Sequence, residues 1–449
     1  MNNINVGRPT YRTETIEDQK LIIKCYQDNF NKIKAFPKLP INEIKKWQFK
    51  RLKWLVKHSY ETLPFYHKKY KENNFHPDKF KTFNDFKKIP VVTKEELIEA
   101  WPNNLVSKLH NTEFTTRSSG SSGKFVTVAV DKKAVIFDTI IGIRQLNMQS
   151  LNKVNPQDLI LQIYTCPWWF NSIGGLYESL FLPTTEPYDK TAQVIYSLKP
   201  KVLSLYPSYL KPLSNFITDQ DNLKLKLIIT HSEQSTLIER ERLSEKLGVS
   251  ILDEYSSEEL TRIALECPNH NYHIEEDSCY IEILDENNEI VEQDKKGEVI
   301  GTNLLNEATP LIRYRQGDIA KLSNNNICNC GSNFRQISEL LGRKGDFFIM
   351  PDGKVVAPGT LMDAVYNWFL KYNIPIHGLQ YQIIQNRMDD IILNLAGRKL
   401  NSNEIILIEK QLKEILGDNI NVNINFLEQL ENKNWKHKCV ISHVNKSGD

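Results

Sequence analysis

The sequence predicts an α/β protein with a large N-terminal part and a smaller α+β unit at the C-terminus. Apolar residues at helical spacing dominate residues 15–110. Over 112–340, short apolar runs between turns alternate with helical stretches, which indicates strands and helices layered as an α/β sheet. A unit of about 100 residues follows the polar segment 342–346. We therefore predict two domains, 1–342 and 343–449.

The helical part and the strand region each contain clear examples. Leu52, Leu55 and Val56 recur at helical spacing and Pro64 follows, which predicts a helix that ends near residue 62. Beyond residue 112 we predict a helix from Thr236 to Leu247 and strands at three apolar runs. These runs are Leu159–Ile163, Val202–Leu205 and Leu227–Ile229.

The C-terminal unit has its own pattern of helices and strands. We predict one helix from Pro358 to Tyr372 and a second from Ser402 to Leu416, which Gly417 ends. Strands are predicted at Leu379–Ile384, Ile391–Leu395 and Val422–Phe426. This order indicates a compact α+β fold.

The composition excludes some classes of protein. The 449 residues carry 57 Lys and Arg against 55 Asp and Glu, so no global field favours nucleic acid or an anionic membrane. The N-terminus lacks a basic stretch followed by an apolar one, and no apolar run reaches the roughly 20 residues that span a bilayer. Seven cysteines without a disulfide-like framework fit a reducing compartment. We expect a cytoplasmic protein without a membrane span or a nucleic-acid partner.

A loop rich in serine and glycine precedes the apolar run 125–130. Its glycines let several backbone N–H groups converge, which suits the oxygens of a polyphosphate, and its lysine adds a positive charge. It is not a Walker loop, because only two residues separate its glycines and Phe125 replaces the hydroxyl that would hold magnesium. A flexible turn is the alternative. The loop consists of Ser118, Ser119, Gly120, Ser121, Ser122, Gly123 and Lys124.

Two downstream segments can add to a nucleotide site. In Asp253–Glu259, Tyr255 can stack on a base while the acids ligate a hard cation, and a solvated acidic turn is the alternative. In Pro310–Asp318, Asp318 follows a glycine, and we place it at the end of an apolar strand. There its carboxylate can accept hydrogen bonds from both hydroxyls of a ribose, whereas a surface turn is the alternative.

Taken in order, these segments resemble the adenylate-forming superfamily. The closest resemblance is to the branch of phenylacetate–CoA ligase and capsule-biosynthesis adenylating proteins, and it covers nearly the whole chain. It is carried by the loop 118–124, Tyr206-Pro207-Ser208, Ser232-Glu233, Tyr255 to Glu259, Tyr314 to Asp318, and Gly342-Arg343.

The resemblance implies an adenylation domain, a small mobile C-terminal lid and a reaction in two steps. ATP and a carboxylic acid give an acyl-adenylate and pyrophosphate, and a nucleophile then displaces AMP. The acceptor is CoA, as in the phenylacetate-type relatives, or else a carrier-protein thiol or an amine on a sugar or small metabolite. A nucleotide-binding protein without catalysis is a further alternative.

The resemblance also implies roles for individual residues. The loop 118–124 holds the β- and γ-phosphates, and Tyr255 and Ser232, the latter within the Ser232-Glu233 motif, border the adenine. Asp318 binds the ribose with Arg343 nearby. Glu259 binds Mg²⁺, although the altered Tyr-Ser-Ser-Glu-Glu pattern makes Glu258 a rival for that role.

The catalytic lysine of the superfamily lies in the C-terminal domain, usually after glycine. Lys436 is the best match, ahead of Lys433 and Lys438, although no glycine precedes it. Its ammonium would stabilise the charge that gathers on the α-phosphate as the carboxylate attacks. The segment 344–346 would be the hinge of the lid.

Cysteines and histidines form a candidate zinc site. Cys267, His270 and His273 lie within seven residues, and Cys328 and Cys330 follow some 55 residues later. Thiolates and imidazoles suit tetrahedral zinc, although Cys-x-Cys is less typical than Cys-x-x-Cys, and free thiols with surface histidines are the alternative. Capsule-type relatives resemble this chain at these positions. The resemblance implies a structural Cys₃His set of Cys267, His273, Cys328 and Cys330, with His270 as the substitute for His273.

An aromatic cluster marks a candidate acid-binding pocket. Tyr164, Trp168, Trp169 and Phe170 lie close in sequence, and two glycines follow at 174–175. The resemblance places this region beside the acyl group, which makes an aromatic or apolar acid plausible, and ordinary core packing is the alternative.

Overall fold

Helices form the N-terminal part of the chain in the computed structural model, which describes residues 15–109, 112–118, 125–168, 171–325, 327–372, 380–397, 399–430 and 437–444. The second of these helices ends at Thr62, two residues before Pro64, as predicted. In the described part of the chain, no helix combines the length and the apolar character needed to cross a membrane. The helices are α1 (Ile16–Ala35), α2 (Ile41–Thr62), α3 (Pro64–Glu72), α4 (Phe83–Phe86) and α5 (Lys94–Ala100).

Strands and helices then alternate up to residue 343, which confirms the predicted α/β region. The elements are β1 (Thr112–Arg117), β2 (Thr127–Asp131), α6 (Lys132–Gln149), β3 (Ile160–Tyr164), β4 (Ser179–Pro183), α7 (Tyr188–Leu198), β5 (Val202–Leu205), α8 (Pro207–Leu213), α9 (Gln220–Leu223), β6 (Leu227–His231), α10 (Leu237–Leu247), β7 (Ile251–Ser257), β8 (Thr261–Glu266), β9 (Tyr272–Ile274), β10 (Cys279–Leu284), β11 (Lys296–Asn303), β12 (Tyr314–Leu322) and β13 (Gln336–Arg343).

Most of these strands join one large sheet. Within the described residues its order is β10-β11-β12-β13-β9-β8-β7-β6-β5-β3-β4. The strands from β4 through β3, β5 and β6 to β7 are parallel, whereas the pairs from β7 onward are antiparallel. The carboxyl ends of the parallel strands therefore share one edge, where side chains from distant parts of the sequence meet.

The core of the large part lies on both sides of this sheet. One apolar cluster joins α2, α3 and α5 to β8, β10 and β12. A second lies between α1, α6 and the parallel strands, and α6 is buried along most of its length. The helical start of the chain is therefore part of the same packed structure as the sheet.

The C-terminal unit begins with a short 3₁₀ turn, Lys344–Asp346, and builds a separate apolar cluster. Its helix α12 has the predicted bounds, because the Asn401 side chain accepts from the Glu404 N–H while the Glu404 carboxylate accepts from the Asn401 N–H. The elements are β14 (Phe348–Ile349), β15 (Val355–Val356), α11 (Pro358–Lys371), β16 (Gln380–Arg387), β17 (Asp390–Ala396), α12 (Ser402–Leu416), β18 (Asn421–Leu427) and β19 (Val440–Ser442). A sheet of order β18-β17-β16-β19 carries the two helices. The predicted α+β fold is confirmed, while the boundary at 342/343 stays a prediction.

Two details of the predicted strands are wrong. Asp318 does not end a strand but lies in the middle of β12 and is 5% exposed, because the strand begins only at Tyr314 and runs to Leu322. The alternative of a solvated acidic turn also fails for Asp253 and Glu254, which are buried in β7. In both cases pairing with neighbouring strands, rather than local polarity, decides the structure.

Arg313 joins the helical start of the chain to the sheet. Its guanidinium is buried and paired with Glu282, at 2.9 Å between Nε and Oε2, and it donates to the carbonyls of Lys87 (2.7 Å) and Ile89. Removing one partner of such a buried ion pair strongly destabilises the fold, because the other charge then stays buried without compensation.

We expect Arg313→Leu to lower the free energy of unfolding by about 3–5 kcal/mol. The control is Arg242→Ala on α10, which loses only an exposed pair with Glu245 and should change stability by less than about 1 kcal/mol. Urea unfolding followed by circular dichroism measures both. Equal losses in the two variants would mean that Arg313 does not anchor the helices.

Candidate functional site

A large cavity lies at the carboxyl edge of the parallel strands. Its volume is about 1800 Å³, and its wall is built from β1, the ends of β6 and β7, β12, β13 and parts of the C-terminal unit. Single small-molecule sites usually measure about 300–1,000 Å³, so this cavity has room for a nucleotide and a second substrate together.

Asp318 is the centre of one wall. Its Oδ2 accepts a hydrogen bond from the Tyr255 hydroxyl at 2.6 Å, and its Oδ1 lies 2.9 Å from the Arg343 Nε. Asp318 and Arg343 are direct partners across β12 and β13, so the sheet register places the pair. Burial raises the pKa of the Tyr255 hydroxyl well above its usual value, so this hydroxyl stays protonated and donates.

Two glycines at this wall permit a backbone conformation or a close contact that a side chain would hinder. Gly317 has φ +80°, a conformation that glycine adopts without strain, directly before Asp318. Gly342 has φ +104°, and a Cβ there would lie 2.9 Å from Oε1 of Gln234 and 3.2 Å from Cγ of Pro358. Gly342 therefore permits close packing between β13, the loop after β6 and the start of α11.

The two acids predicted as alternative Mg²⁺ ligands, Glu258 and Glu259, occupy different surroundings. Glu259 is buried, accepts a hydrogen bond from the Tyr314 hydroxyl at 3.2 Å, and has its pKa raised by burial. Glu258 is exposed and accepts from the Thr116 hydroxyl on β1. Both line the cavity. Sequence reasoning missed Thr116 and Tyr314 as partners of these acids, because neither belongs to the 255–259 segment.

The Ser/Gly-rich loop connects β1 to β2, and its first residue, Ser118, is the one that the structure describes. Ser118 is held by two contacts with Val126, since its N–H donates to the Val126 carbonyl and its hydroxyl accepts from the Val126 N–H, both at 2.9 Å. Ser118 lines the cavity. The remaining predicted phosphate contacts, Ser119, Gly120, Ser121, Ser122, Gly123 and Lys124, lie outside the described residues.

The Ser232-Glu233 motif follows β6 and faces the same cavity. The Ser232 hydroxyl is 3.2 Å from the Tyr164 hydroxyl. The Glu233 carboxylate accepts from two backbone N–H groups, Ser208 at 3.1 Å and His437 at 2.8 Å. Glu233 thus connects the start of α8 with the C-terminal tail, a role the sequence did not indicate.

The C-terminal tail reaches the cavity beside the predicted hinge. The Lys438 ammonium is 2.9 Å from an Asp346 carboxylate oxygen. This pair ties the tail to the 3₁₀ turn that follows β13. The predicted catalytic lysine, Lys436, and its rival Lys433 lie outside the described residues.

The four predicted zinc ligands lie together. Their ligand atoms are all within 4.8 Å of one another, with 3.7 Å between the sulfurs of Cys267 and Cys328 and 3.2 Å between Cys330 Sγ and His273 Nε2. The His273 Nδ1 is 3.2 Å from the Phe334 carbonyl, which leaves Nε2 facing the three sulfurs. His270 is not part of this cluster, because its ring bonds to Glu266.

The predicted acyl pocket is aromatic on one side only. Tyr164 stacks on Tyr206 at 4.8 Å between ring centroids, and Tyr164 and Trp168 line the cavity, while Trp169 and Phe170 lie outside the described residues. The cavity also has an ionic wall, which contains Asp138 of α6, Glu254 of β7 and Arg262 of β8, and the Arg262 guanidinium lies 5.9 Å from the Trp168 ring centroid. Sequence reasoning missed this ionic group. The available signal was Asp138 itself, an acid directly after the apolar run 134–137 and shortly before Ile140 and Ile141.

Sequence comparison finds curated relatives over most of the chain. The phenylacetate–coenzyme A ligase of Escherichia coli is 27% identical over 342 residues, which are 72% of this chain and 76% of the relative. The Thermus thermophilus protein of the same name is 27% identical and covers 83% of this chain and 88% of its own. Protein CapK of Staphylococcus aureus is 22% identical, with 87% of each chain covered. This chain is similar over most of its length to the phenylacetate–CoA ligases and to CapK. The resemblance seen in the motifs is therefore confirmed.

Structural comparison agrees about the fold. A 2-hydroxyisobutyryl-CoA ligase, solved in the post-adenylation state with R3-HIB-AMP, matches with a TM-score of 0.76 at 19% identity and 91% coverage of both chains. The same ligase in an open conformation with 2-HIB-AMP and CoA matches with a TM-score of 0.63 and covers 90% of this chain and 92% of its own. No protein-family profile matches this chain. The α/β fold with a smaller C-terminal unit is that of the adenylate-forming ligases.

Proposed function

We propose that this protein is an AMP-forming acid–CoA ligase. It activates a carboxylic acid with ATP, releases pyrophosphate and transfers the acyl group to the thiol of CoA. The observation that carries this proposal is the meeting of Asp318, Arg343, Tyr255 and Glu259 on one wall of a cavity large enough for two substrates. The curated relatives named phenylacetate–CoA ligase support the same activity.

In this proposal the Asp318 wall holds the nucleoside. The carboxylate accepts from the ribose hydroxyls, and Arg343 and the Tyr255 hydroxyl keep it in position. The Tyr255 ring and Ser232 border the adenine. The loop 118–124 binds the β- and γ-phosphates with its N–H groups and Lys124, and β1 and β2 fix where this loop starts and ends.

Glu259 is the proposed ligand of Mg²⁺. Its carboxylate is buried at the cavity wall and held by Tyr314, so its position is fixed before a metal binds. When bound, Mg²⁺ would offset the negative charge of the phosphates. Glu258 is exposed and already bonded to Thr116, so we assign it a lesser role.

The adenylation step requires a cation at the α-phosphate, and we propose that Lys436 provides it. The acid carboxylate attacks the α-phosphorus and pyrophosphate leaves, so negative charge gathers on the phosphoryl oxygens where an ammonium stabilises it. The thiolate of CoA then attacks the acyl carbonyl and AMP leaves. The C-terminal unit would turn about 344–346 between these steps.

We propose that zinc binds the Cys₃His cluster and stabilises the fold. Four zinc ligands at about 2.0–2.3 Å from a tetrahedral centre are some 3.3–3.8 Å apart. The 3.7 Å between the sulfurs of Cys267 and Cys328 falls in this range, and the 3.2 Å between Cys330 Sγ and His273 Nε2 lies just below it. The Phe334 carbonyl fixes the His273 ring, and the Asn271 amide lies 3.4 Å from the Cys328 sulfur. Such a metal would join the turn after β8 to the loop between β12 and β13. Three thiolates and a histidine leave no open position for a substrate.

The first test is carboxylate-dependent exchange between ATP and pyrophosphate over a panel of acids. We expect Lys436→Ala to lower the exchange rate about a hundredfold or more, because it removes charge stabilisation specific to the transition state. Asp318→Ala should raise the KM for ATP about tenfold or more by removing the ribose acceptor.

Lys433→Ala is the matched control for the tail and should retain nearly full exchange. Loss of CoA thiol during turnover then tests the acceptor. ATP binding without exchange for any acid would refute acid activation. Exchange without consumption of CoA thiol would refute CoA as the acceptor and favour a carrier-protein thiol or an amine.

The metal assignment predicts different effects for the two neighbouring acids. Glu259→Gln should raise the Mg²⁺ concentration needed for half-maximal exchange about tenfold, because a neutral amide is a poorer ligand for a hard cation. Glu258→Gln should change this concentration by less than about twofold. Magnesium titrations at fixed total ATP make the comparison, and the reverse order of effects would assign the metal to Glu258.

The zinc proposal predicts about one equivalent of zinc per purified chain. Cys328→Ser should lose this zinc and lower the Tm, because a structural metal stabilises only the folded state that binds it. Cys25→Ser, in half-buried surroundings on α1, is the control and should keep the metal. Elemental analysis and thermal unfolding measure both properties. Zinc-free wild-type protein with the same Tm as a zinc-treated sample would contradict the proposal.

A further inference from the structure

The ionic wall beside Trp168 is built into the core. Asp138, Glu254 and Arg262 are 2%, 8% and 7% exposed, yet all three line the cavity. They come from α6, β7 and β8, so three separate elements contribute to one group. Burying charges is expensive, and a ligand that interacts with them can account for their place at a cavity wall.

The group has more acceptors than donors. Glu254 Oε2 is 2.7 Å from Arg262 Nη1 and 2.8 Å from Gln145 Nε2, so Glu254 is well hydrogen-bonded. Asp138 Oδ1 is 3.2 Å from Arg262 Nε, but these two atoms are not aligned as a hydrogen bond. Neither has another hydrogen-bond partner among the described residues. Two carboxylates thus face one guanidinium. Asp138 Oδ1 is closed off from the cavity by burial, so the acceptor that a ligand can reach is Oδ2, which accepts no hydrogen bond from the described residues.

The position of Arg262 is fixed by its packing. Its guanidinium lies against Gly142 of α6, where a Cβ would be 2.9 Å from Nη2, and 5.9 Å from the Trp168 ring centroid. Arg262 therefore has little room to move toward Asp138 and improve the pair. Burial also raises the pKa of Asp138 to about 6, as expected when a neighbouring cation compensates a carboxylate incompletely.

This arrangement should favour substrate acids that carry a hydrogen-bond donor over acids that lack one. An unsubstituted aliphatic or aryl group beside the aromatic rings would cover Asp138 and leave its carboxylate without a hydrogen bond, which is costly in a buried site. A hydroxyl or amino group at the same place would donate to it. Sites built around a hydrogen bond to the substrate reject analogues that lack the donor far more strongly than apolar pockets reject a missing methylene.

We propose that the acid activated by this protein carries a hydroxyl or amino group and that Asp138 accepts a hydrogen bond from it. This inference rests on the proposed ligase function and names the substrate class of the same site. It replaces the expectation of a purely aromatic or apolar acyl group. Trp168 and Tyr164 contact the carbon skeleton, and Asp138 selects its polar substituent.

The experiment compares acids that differ only in the donor. Butanoate is measured against 3-hydroxybutanoate and 3-aminobutanoate, and phenylacetate against 4-hydroxyphenylacetate and 4-aminophenylacetate, by ATP–pyrophosphate exchange. We expect kcat/KM to be at least about tenfold higher for a donor-bearing acid in one of these sets. In the butanoate set the hydroxyl and ammonium members distinguish a neutral donor from a cationic one, whereas both substituted phenylacetates carry neutral donors because an arylamine is unprotonated near pH 7.

Asp138→Leu should abolish this preference, since it replaces the carboxylate with an apolar group of similar size, and should leave the KM for ATP unchanged. Asp138→Asn keeps the shape but removes the charge, so it should lower kcat/KM for 3-aminobutanoate, whose amino group is cationic, more than for 3-hydroxybutanoate. Lys133→Ala, an exposed change on the same helix, is the control and should keep the wild-type preference. If Asp138→Leu does not fold, the wild-type panel and Asp138→Asn still decide the question.

The possible failures are distinguishable. Exchange that is equal or faster with the unsubstituted acids would overturn the role of Asp138 and leave the ligase function standing. Equal loss for all acids in Asp138→Asn would assign the residue a structural role and also overturn the inference. Absence of exchange with every acid, in protein that binds ATP, would refute the ligase function and this inference with it.

Discussion

The pairing of Asp318 with Arg343 across β12 and β13 is the contact on which the arrangement of the site depends. Asp318 belongs to the proposed nucleotide wall, and Arg343 is the last residue of the strand that leads into the C-terminal unit. The Tyr255 hydroxyl holds the second carboxylate oxygen, so β7 is attached to the same point. Sheet register, and not loop conformation, thereby sets the distance between the parallel strands and the turn 344–346. A site placed on strands is held more rigidly than one placed on loops alone.

Strand β7 places buried acidic side chains on both faces of the sheet. Successive side chains of a strand point to opposite faces, so Asp253 and Glu254 enter different networks. Asp253 accepts from Thr230 at 2.7 Å and from Tyr272 at 2.8 Å, and Tyr272 lies on β9 next to the cysteine–histidine cluster. Glu254 joins the ionic wall beside α6. Such networks add little net stability, but an unpaired member is costly, so each one favours a single arrangement of the strands that carry it.

The sequence was a good guide where a signal is local and a poor one where partners are distant. The bounds of α12 follow from a cap at Asn401 and a stop at Gly417, both within a few residues of the helix. The cysteine–histidine cluster was also predictable, because its spacing and the family resemblance agreed. The place of Asp318 inside β12 depends on pairing with β11 and β13, which no local pattern encodes. The ionic wall likewise unites residues far apart in the chain, such as Asp138 and Arg262, and periodicity along one element cannot find them.

Glu233 belongs to a motif that was recognised in the sequence, but the hydrogen bonds that its carboxylate makes could not be predicted from that motif. The resemblance placed it with the nucleotide, yet its carboxylate accepts from the backbone of Ser208 and His437 and so joins α8 to the C-terminal tail. His437 directly follows Lys436 in the sequence, so the neighbour of the proposed catalytic lysine is held by a residue of the large part. Burial lowers the pKa of the His437 imidazole, so the ring stays neutral near pH 7 and adds no charge beside that lysine. In the proposed mechanism the C-terminal unit turns between two reaction steps, so its contacts with the large part must form in one arrangement and break in the other. A single carboxylate bound to backbone N–H groups satisfies this need, because water can replace both hydrogen bonds when the tail leaves.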